Sequence, residues 1–176
     1  MSEHNPTDST PGFDQPLALL RACHARMLDH CELLEQLIAN LNSDTIDTET
    51  AAAARSVMAY FSSSALQHHL DEEGDLFPLL ARQSLKLADL VHSLRQEHAE
   101  LDALWKALEV DLRRFPEVAD RAAFSTTANR FCELSRQHVR RENMEFLPRA
   151  ESSLSSEQLK DIGAAMAERR GVRYTD

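Results

Sequence analysis

The chain has 176 residues with 19 basic against 29 acidic side chains, and its formal net charge of -10 argues against a nucleic-acid backbone or an anionic membrane surface as partner. Only 4 Gly and 6 Pro interrupt a sequence rich in Ala, Leu, Glu and Arg, so the composition predicts an all-α chain, one domain in size and long enough to bury a core. Cys23, Cys31 and Cys132 show neither a C-x-x-C spacing nor an even count, which argues against a disulfide framework or a thiolate zinc site and fits reduced thiols in the cytoplasm.

Residues 1–15, with Pro6, Pro11, Gly12 and little to bury, read as a disordered leader in which His4 has no expected role. The leader lacks the basic and apolar pattern of an export signal, and no run approaches about 18 apolar residues, so nothing is expected to span a membrane. Residues 16–151 are expected to form a helical bundle, and residues 152–176 a C-terminal helix packed on it. The first helix begins near Asp14 to Pro16 and runs to about Leu41. Leu17, Leu20, His24, Met27, Leu28, Cys31, Leu34 and Ile38 recur along it at helical spacing, which puts His24 in the buried stripe and leaves His30 on the surface side.

A polar break, 42–47, precedes a second helix from Thr48 to about Phe77, with Val57, Phe61, Ala65, His68, Glu72 and Leu76 down one side. Two registers are open at its end, His68 with Glu72 or His69 with Glu73. The first is preferred because it continues the stripe, leaving Asp71, Glu73 and Asp75 on a solvated face. A third helix runs from the Gln83-Ser84 turn to Phe115, where Pro116 stops it, with Val91, Leu94, His98, Leu101, Trp105 and Leu108 as its stripe. His92 falls off that stripe. The fourth helix covers about Asp120 to Leu147 and aligns Phe124, Phe131, Leu134, His138 and Glu142, with Pro148 after its end. Ser155 with Gln158 forms a capping box for a short fifth helix that closes at Arg169-Arg170-Gly171.

His68, Glu72 and Pro78 repeat as His138, Glu142 and Pro148 with the same spacing. Four residues advance a helix by about 6 Å and return to within about 40° of the starting direction, so each imidazole shares a face with its carboxylate. If consecutive helices run antiparallel, His24, His68, His98 and His138 fall in one layer with Glu72 and Glu142. Without a cation such a layer would leave several polar groups and charges unsatisfied in a dry core. A metal removes that cost. Four nitrogens and two carboxylates exceed the four ligands of a structural zinc site, and no thiolate pattern points to copper or an iron–sulfur cluster. Two ions, each with two histidines and bridged by both glutamates, use every ligand. Iron suits this mixed donor set and leaves positions open; zinc and manganese would also bind.

His24, the His68-x-x-x-Glu72 stretch ending in Leu76-Phe77-Pro78, the Glu97-His98 pair and the His138-x-x-x-Glu142 stretch ending in Pro148 resemble the hemerythrin-like HHE cation-binding domain over about residues 15 to 150. The resemblance implies an up-down-up-down four-helix bundle around an oxo- or hydroxo-bridged non-haem di-iron centre that binds dioxygen or related small molecules. Its ligands would be His24, His68, Glu72, His98, His138 and Glu142. Oxygen-carrying hemerythrins supply two histidines spaced by four from the third helix, whereas here Leu94 stands four before His98. The remaining set looks closer to the di-iron domain of proteins that repair iron–sulfur clusters, without their separate cysteine-bearing N-terminal domain. The leading expectation is a protein that binds dioxygen, nitric oxide or iron as sensor, scavenger or store. The alternatives are a di-iron peroxidase or oxidase, a stress-repair factor, and an interaction module with a structural metal. No Glu-x-x-His occurs in the chain, which argues against a ferritin-like oxidase.

Overall fold

The computed structural model describes residues 11–41 and 47–173; residues 1–10 of the expected leader and 42–46 of the expected polar break lie outside the described residues. Among the described residues eight α-helical segments follow in chain order: α1 (Pro16–Asn40), α2 (Thr48–Ala59), α3 (Ala65–Asp71), α4 (Phe77–Ala81), α5 (Leu85–Leu112), α6 (Arg121–Arg141), α7 (Leu147–Ser153) and α8 (Ser156–Arg169). Wider π turns at Tyr60–Ser64 and Glu72–Leu76 join α2, α3 and α4 into one continuous helix, and another at Glu142–Phe146 joins α6 to α7. The bundle therefore has four long helices, with α8 as a fifth.

Helix starts are fixed by side chains that accept from otherwise unpaired backbone N–H groups. Asp47 accepts from Thr50, Ser84 from Leu87 and Asp120 from Ala123. Ser155 and Gln158 complete a reciprocal capping box at α8. Pro16 occupies the first turn of α1, where a missing N–H costs nothing.

Two helix ends differ from expectation. Pro78 and Pro148 do not terminate their helices, which continue to Ala81 and Ser153. In each case the proline follows a π turn, in which the Phe77 N–H donates to the Glu72 carbonyl and the Leu147 N–H to the Glu142 carbonyl, one residue further back than in an α-helix. The missing proline N–H thus falls where the hydrogen-bond ladder already changes step, and the helix resumes with the proline in its first turn.

Helix α1 packs on α2 and α6, α5 packs on α4 and α6, and α2 meets α5, which closes the four long helices into a ring. Apolar side chains fill it in two clusters. Met27, Leu34, Val57, Phe61, Leu101, Trp105, Phe124 and Phe131 belong to one. Leu17, Leu20, Leu76, Phe77, Leu94, Phe146, Ile162 and Met166 belong to the other. On every long helix the switch from one cluster to the other passes through a buried histidine: Leu20-His24-Met27, Ala65-His68-Leu76, Leu94-His98-Leu101 and Leu134-His138-Phe146. A polar layer therefore crosses the bundle between two dry ones.

The fifth helix covers one end of that arrangement, against α1, α3 and the second π turn. Asp71 is consequently not on a solvated face. It is fully buried and accepts from Arg170 Nη2 at 2.6 Å and from Arg169, whose other amino group pairs with Asp75 at 2.9 Å. Residues 11–15 lie within the described chain and pack on α8: the Phe13 carbonyl oxygen lies 2.0 Å from where a Cβ on Gly163 would stand, so only glycine permits this approach.

Candidate metal centre

Four imidazoles and two carboxylates meet in the polar layer, and all six residues are buried. His24 Nε2 faces His68 Nε2 at 3.1 Å, and His98 Nε2 faces His138 Nε2 at the same distance. The two carboxylates lie between these pairs and reach both. Glu72 places Oε1 3.3 Å from His68 Nε2 and 3.8 Å from His24 Nε2, and Oε2 3.4 Å from His98 Nε2. Glu142 places Oε2 2.9 Å from His24 Nε2 and 3.3 Å from His138 Nε2, and Oε1 3.9 Å from His98 Nε2. Among the described residues three groups could hold an ion: His24-His68-Glu72-Glu142 and Glu72-His98-His138-Glu142, which share both carboxylates, and His69-His98-His138, which has no carboxylate.

The donor atoms fit cations. Two nitrogens bound at about 2.1 Å and at a right angle to one ion stand about 3.0 Å apart, close to the spacing within each histidine pair. The ring planes of the pairs cross at 76° and 64°, so their in-plane lone pairs can converge. All four carboxylate oxygens are buried and lack a well-directed hydrogen bond among the described residues. Buried anionic oxygens in that condition are costly unless a cation faces them.

Electrostatics in the cluster tells the same story from the proton's side. Burial pulls His24 and His138 down, but the neighbouring carboxylates, Glu142 foremost, outweigh it and raise each from 6.5 to about 10. His68 is carried down to about 4 by burial. Burial pushes the Glu72 carboxyl up, and His68, His24 and His98 together hold it well below its ordinary value. The carboxylates thus attract protons onto adjoining imidazoles, and metal uptake at these atoms releases them.

Outside this layer, carboxylate and amide groups fix the far nitrogens of three rings. Asn143 Oδ1 lies 2.8 Å from His24 Nδ1, Glu73 Oε1 2.8 Å from His98 Nδ1, and Glu97 Oε2 2.8 Å from His138 Nδ1. Such contacts set which ring nitrogen carries the proton and orient the other toward the site. Glu73 and Asn143 each follow one of the two buried glutamates, so the two halves of the chain repeat the arrangement as well as the motif. The repeat fails once. Glu97, just before His98, serves His138, whereas Cys23, just before His24, does not serve His68, whose Nδ1 has no partner among the described residues. Sequence spacing identified neither Glu73 nor Asn143 in these roles, although their places beside Glu72 and Glu142 are the signal that marks them.

The two registers left open by the sequence separate clearly in space. His68 and Glu72 point into the layer, while Glu73 turns outward to His98 Nδ1 with a side chain 42% exposed. His69 stacks on the His98 ring with centroids 3.9 Å apart. His92 is exposed, and His30 is half-buried against the Tyr60 ring. Leu94 is fully buried in the second apolar cluster. The three cysteines are buried free thiols. No described helix is long and apolar enough to cross a membrane.

Among known proteins, the chain is 26% identical over 161 residues to an uncharacterized protein of Haemophilus influenzae, covering 92% of this chain and 93% of that one. Residues 15–150, which include all but the last turn of the ring of four helices and every buried histidine and glutamate of the polar layer, match the hemerythrin HHE cation binding domain. The chain belongs to the hemerythrin HHE cation-binding family, and its bundle carries a histidine and glutamate cluster able to hold metal.

Proposed function

We propose that the chain is a di-iron protein whose centre binds a small molecule, dioxygen or nitric oxide, as a sensor or scavenger. In this reading His24 and His68 would hold one ion and His98 and His138 the other, and Glu72 and Glu142, which reach both sides, would serve both. The carrying observation is the pair of facing imidazoles, 3.1 Å apart on each side, around two carboxylates that reach both sides. Iron is preferred to zinc because mixed imidazole and carboxylate ligation of two ions leaves positions for an outside molecule. When bound, ferrous ions supply electrons and open coordination positions. The protein's own part is to hold four imidazoles and two carboxylates in place, to keep water out with apolar clusters above and below, and to leave a way in beside Phe61 and Trp105.

Reversible carriage is disfavoured by Leu94, which stands where a carrier would offer another imidazole. Stopped-flow mixing of the anaerobic ferrous protein with dioxygen, and separately with nitric oxide, tests the reading. Spectral change with either gas supports it, and the dioxygen product is expected not to return to the ferrous spectrum under vacuum. A ferrous-loaded protein whose spectrum responds to neither gas would refute it and favour a structural metal.

A further inference from the structure

His69 has no part in the ligand set, yet its ring is placed where a ligand would meet it. A nitrogen of His69 lies within 4.8 Å of a ring nitrogen of His98 and of one of His138. Its Nε2 is buried and has no hydrogen-bond partner among the described residues. The ring also lines two surface clefts: one of about 210 Å³ with Phe61, Leu101 and Trp105, and one of about 310 Å³ with Glu73, Arg95 and His98. His69 thus separates the surface from the His98–His138 side of the layer.

The ring's orientation decides what it can do there. A nitrogen lone pair lies in the plane of its imidazole, and His69 lies nearly parallel to His98, with 18° between planes and centroids 3.9 Å apart. Lone pairs confined to two stacked planes do not converge on one ion, unlike those of the His98–His138 pair at 64°. An apolar side chain would close this gap without leaving a buried nitrogen unpaired, and an unpaired nitrogen is destabilising in itself. A small molecule arriving beside His98 and His138, with an atom able to accept or donate a hydrogen bond, would satisfy it.

We propose that His69 is a ligand-binding residue of the centre: it hydrogen-bonds a small anion or diatomic molecule held on the His98–His138 side, and is not itself a ligand to the metal. The inference rests on the di-iron reading above. It also predicts that selectivity at the two ions differs, since among the described residues His24 and His68 have no stacked imidazole in the corresponding place.

The test compares the wild-type chain with His69→Leu and His69→Gln after iron loading and oxidation, using azide as the probe. Iron content is counted first, and azide affinity is then read from an optical titration. All three proteins are expected to hold the same iron. Azide should bind His69→Leu about tenfold more weakly, the loss of about one hydrogen bond, while His69→Gln, which keeps a donor, should retain most of the affinity. Unchanged azide affinity in His69→Leu, or iron content lowered in both variants as for a lost ligand, would overturn this inference and leave the di-iron reading standing. A wild-type chain that holds no iron would overturn both.

Discussion

Removing the carboxylate behind His138 perturbs the centre without touching any proposed ligand. Glu97 Oε2 lies 2.8 Å from His138 Nδ1, and the glutamate is only 17% exposed, partly because Arg141 pairs with its other oxygen at 2.5 Å. In Glu97→Ala the ring would remain in place, but its Nδ1 would lack a partner, as the His68 Nδ1 does among the described residues, and the orientation of Nε2 would loosen. Losing such an outer partner lowers metal affinity by about 10- to 100-fold, or about 1.4–2.7 kcal/mol. Glu73→Ala should lie at the lower end of that range, because water can reach a half-exposed site and replace the acceptor. Asn143→Ala should fall between them. Cys23→Ala, the position equivalent to Glu97 in the other half, should change affinity by less than about twofold, since no cysteine contact holds His68. Anaerobic competition for ferrous iron against a chromophoric chelator measures all four, and total iron at saturation should stay at the wild-type value. Equal effects of Glu97→Ala and Cys23→Ala, or no effect of Glu97→Ala, would refute the claim that these contacts orient the ligands.

The register of the His68–Glu72 motif predicts that Glu72→Ala loses iron at saturation while His69→Ala and Glu73→Ala keep it, and metal counting of the three variants decides the matter. Asp71→Ala should lower stability by about 3 kcal/mol, because it leaves two arginines facing a site they no longer satisfy, and should drop Tm by about 6–12 °C in a thermal melt. An unchanged melt would mean that α8 is held by its apolar face alone. Gly163→Ala should cost about 1–3 kcal/mol, since the new methyl overlaps the Phe13 carbonyl. Removing residues 11–15 along with that substitution should recover most of the loss, a comparison that denaturant unfolding can make.

The helices, their apolar stripes and the six histidines and glutamates that the structure buries together could be read from the chain because each is a matter of local spacing. His68 and Glu72 share a face by helical geometry, and the stripe through Phe61 and Ala65 says which face is buried. The prolines misled because a proline inside a helix normally ends it; whether a π turn precedes it depends on the packing of Glu72 and Glu142 in the layer, which no local rule encodes. Asp71 read as a surface acid because the helix that buries it comes about a hundred residues later, and the arginines that pair with it served in the sequence only as an end signal for that helix. Glu73 entered only as part of the alternative register with His69, and its contact with His98, like that of Asn143 with His24, was missed for a related reason. Their partners lie on other helices, at separations that periodicity does not address.

The central claim is that this layer holds two metal ions on six side chains. Its most direct test is anaerobic loading with ferrous iron, removal of excess, and metal counting on the wild-type chain and on the alanine variants of His24, His68, Glu72, His98, His138 and Glu142. The account predicts about two ions per chain in the wild type and fewer in every variant. One ion or none in the wild type, or full loading across the six variants, would contradict it.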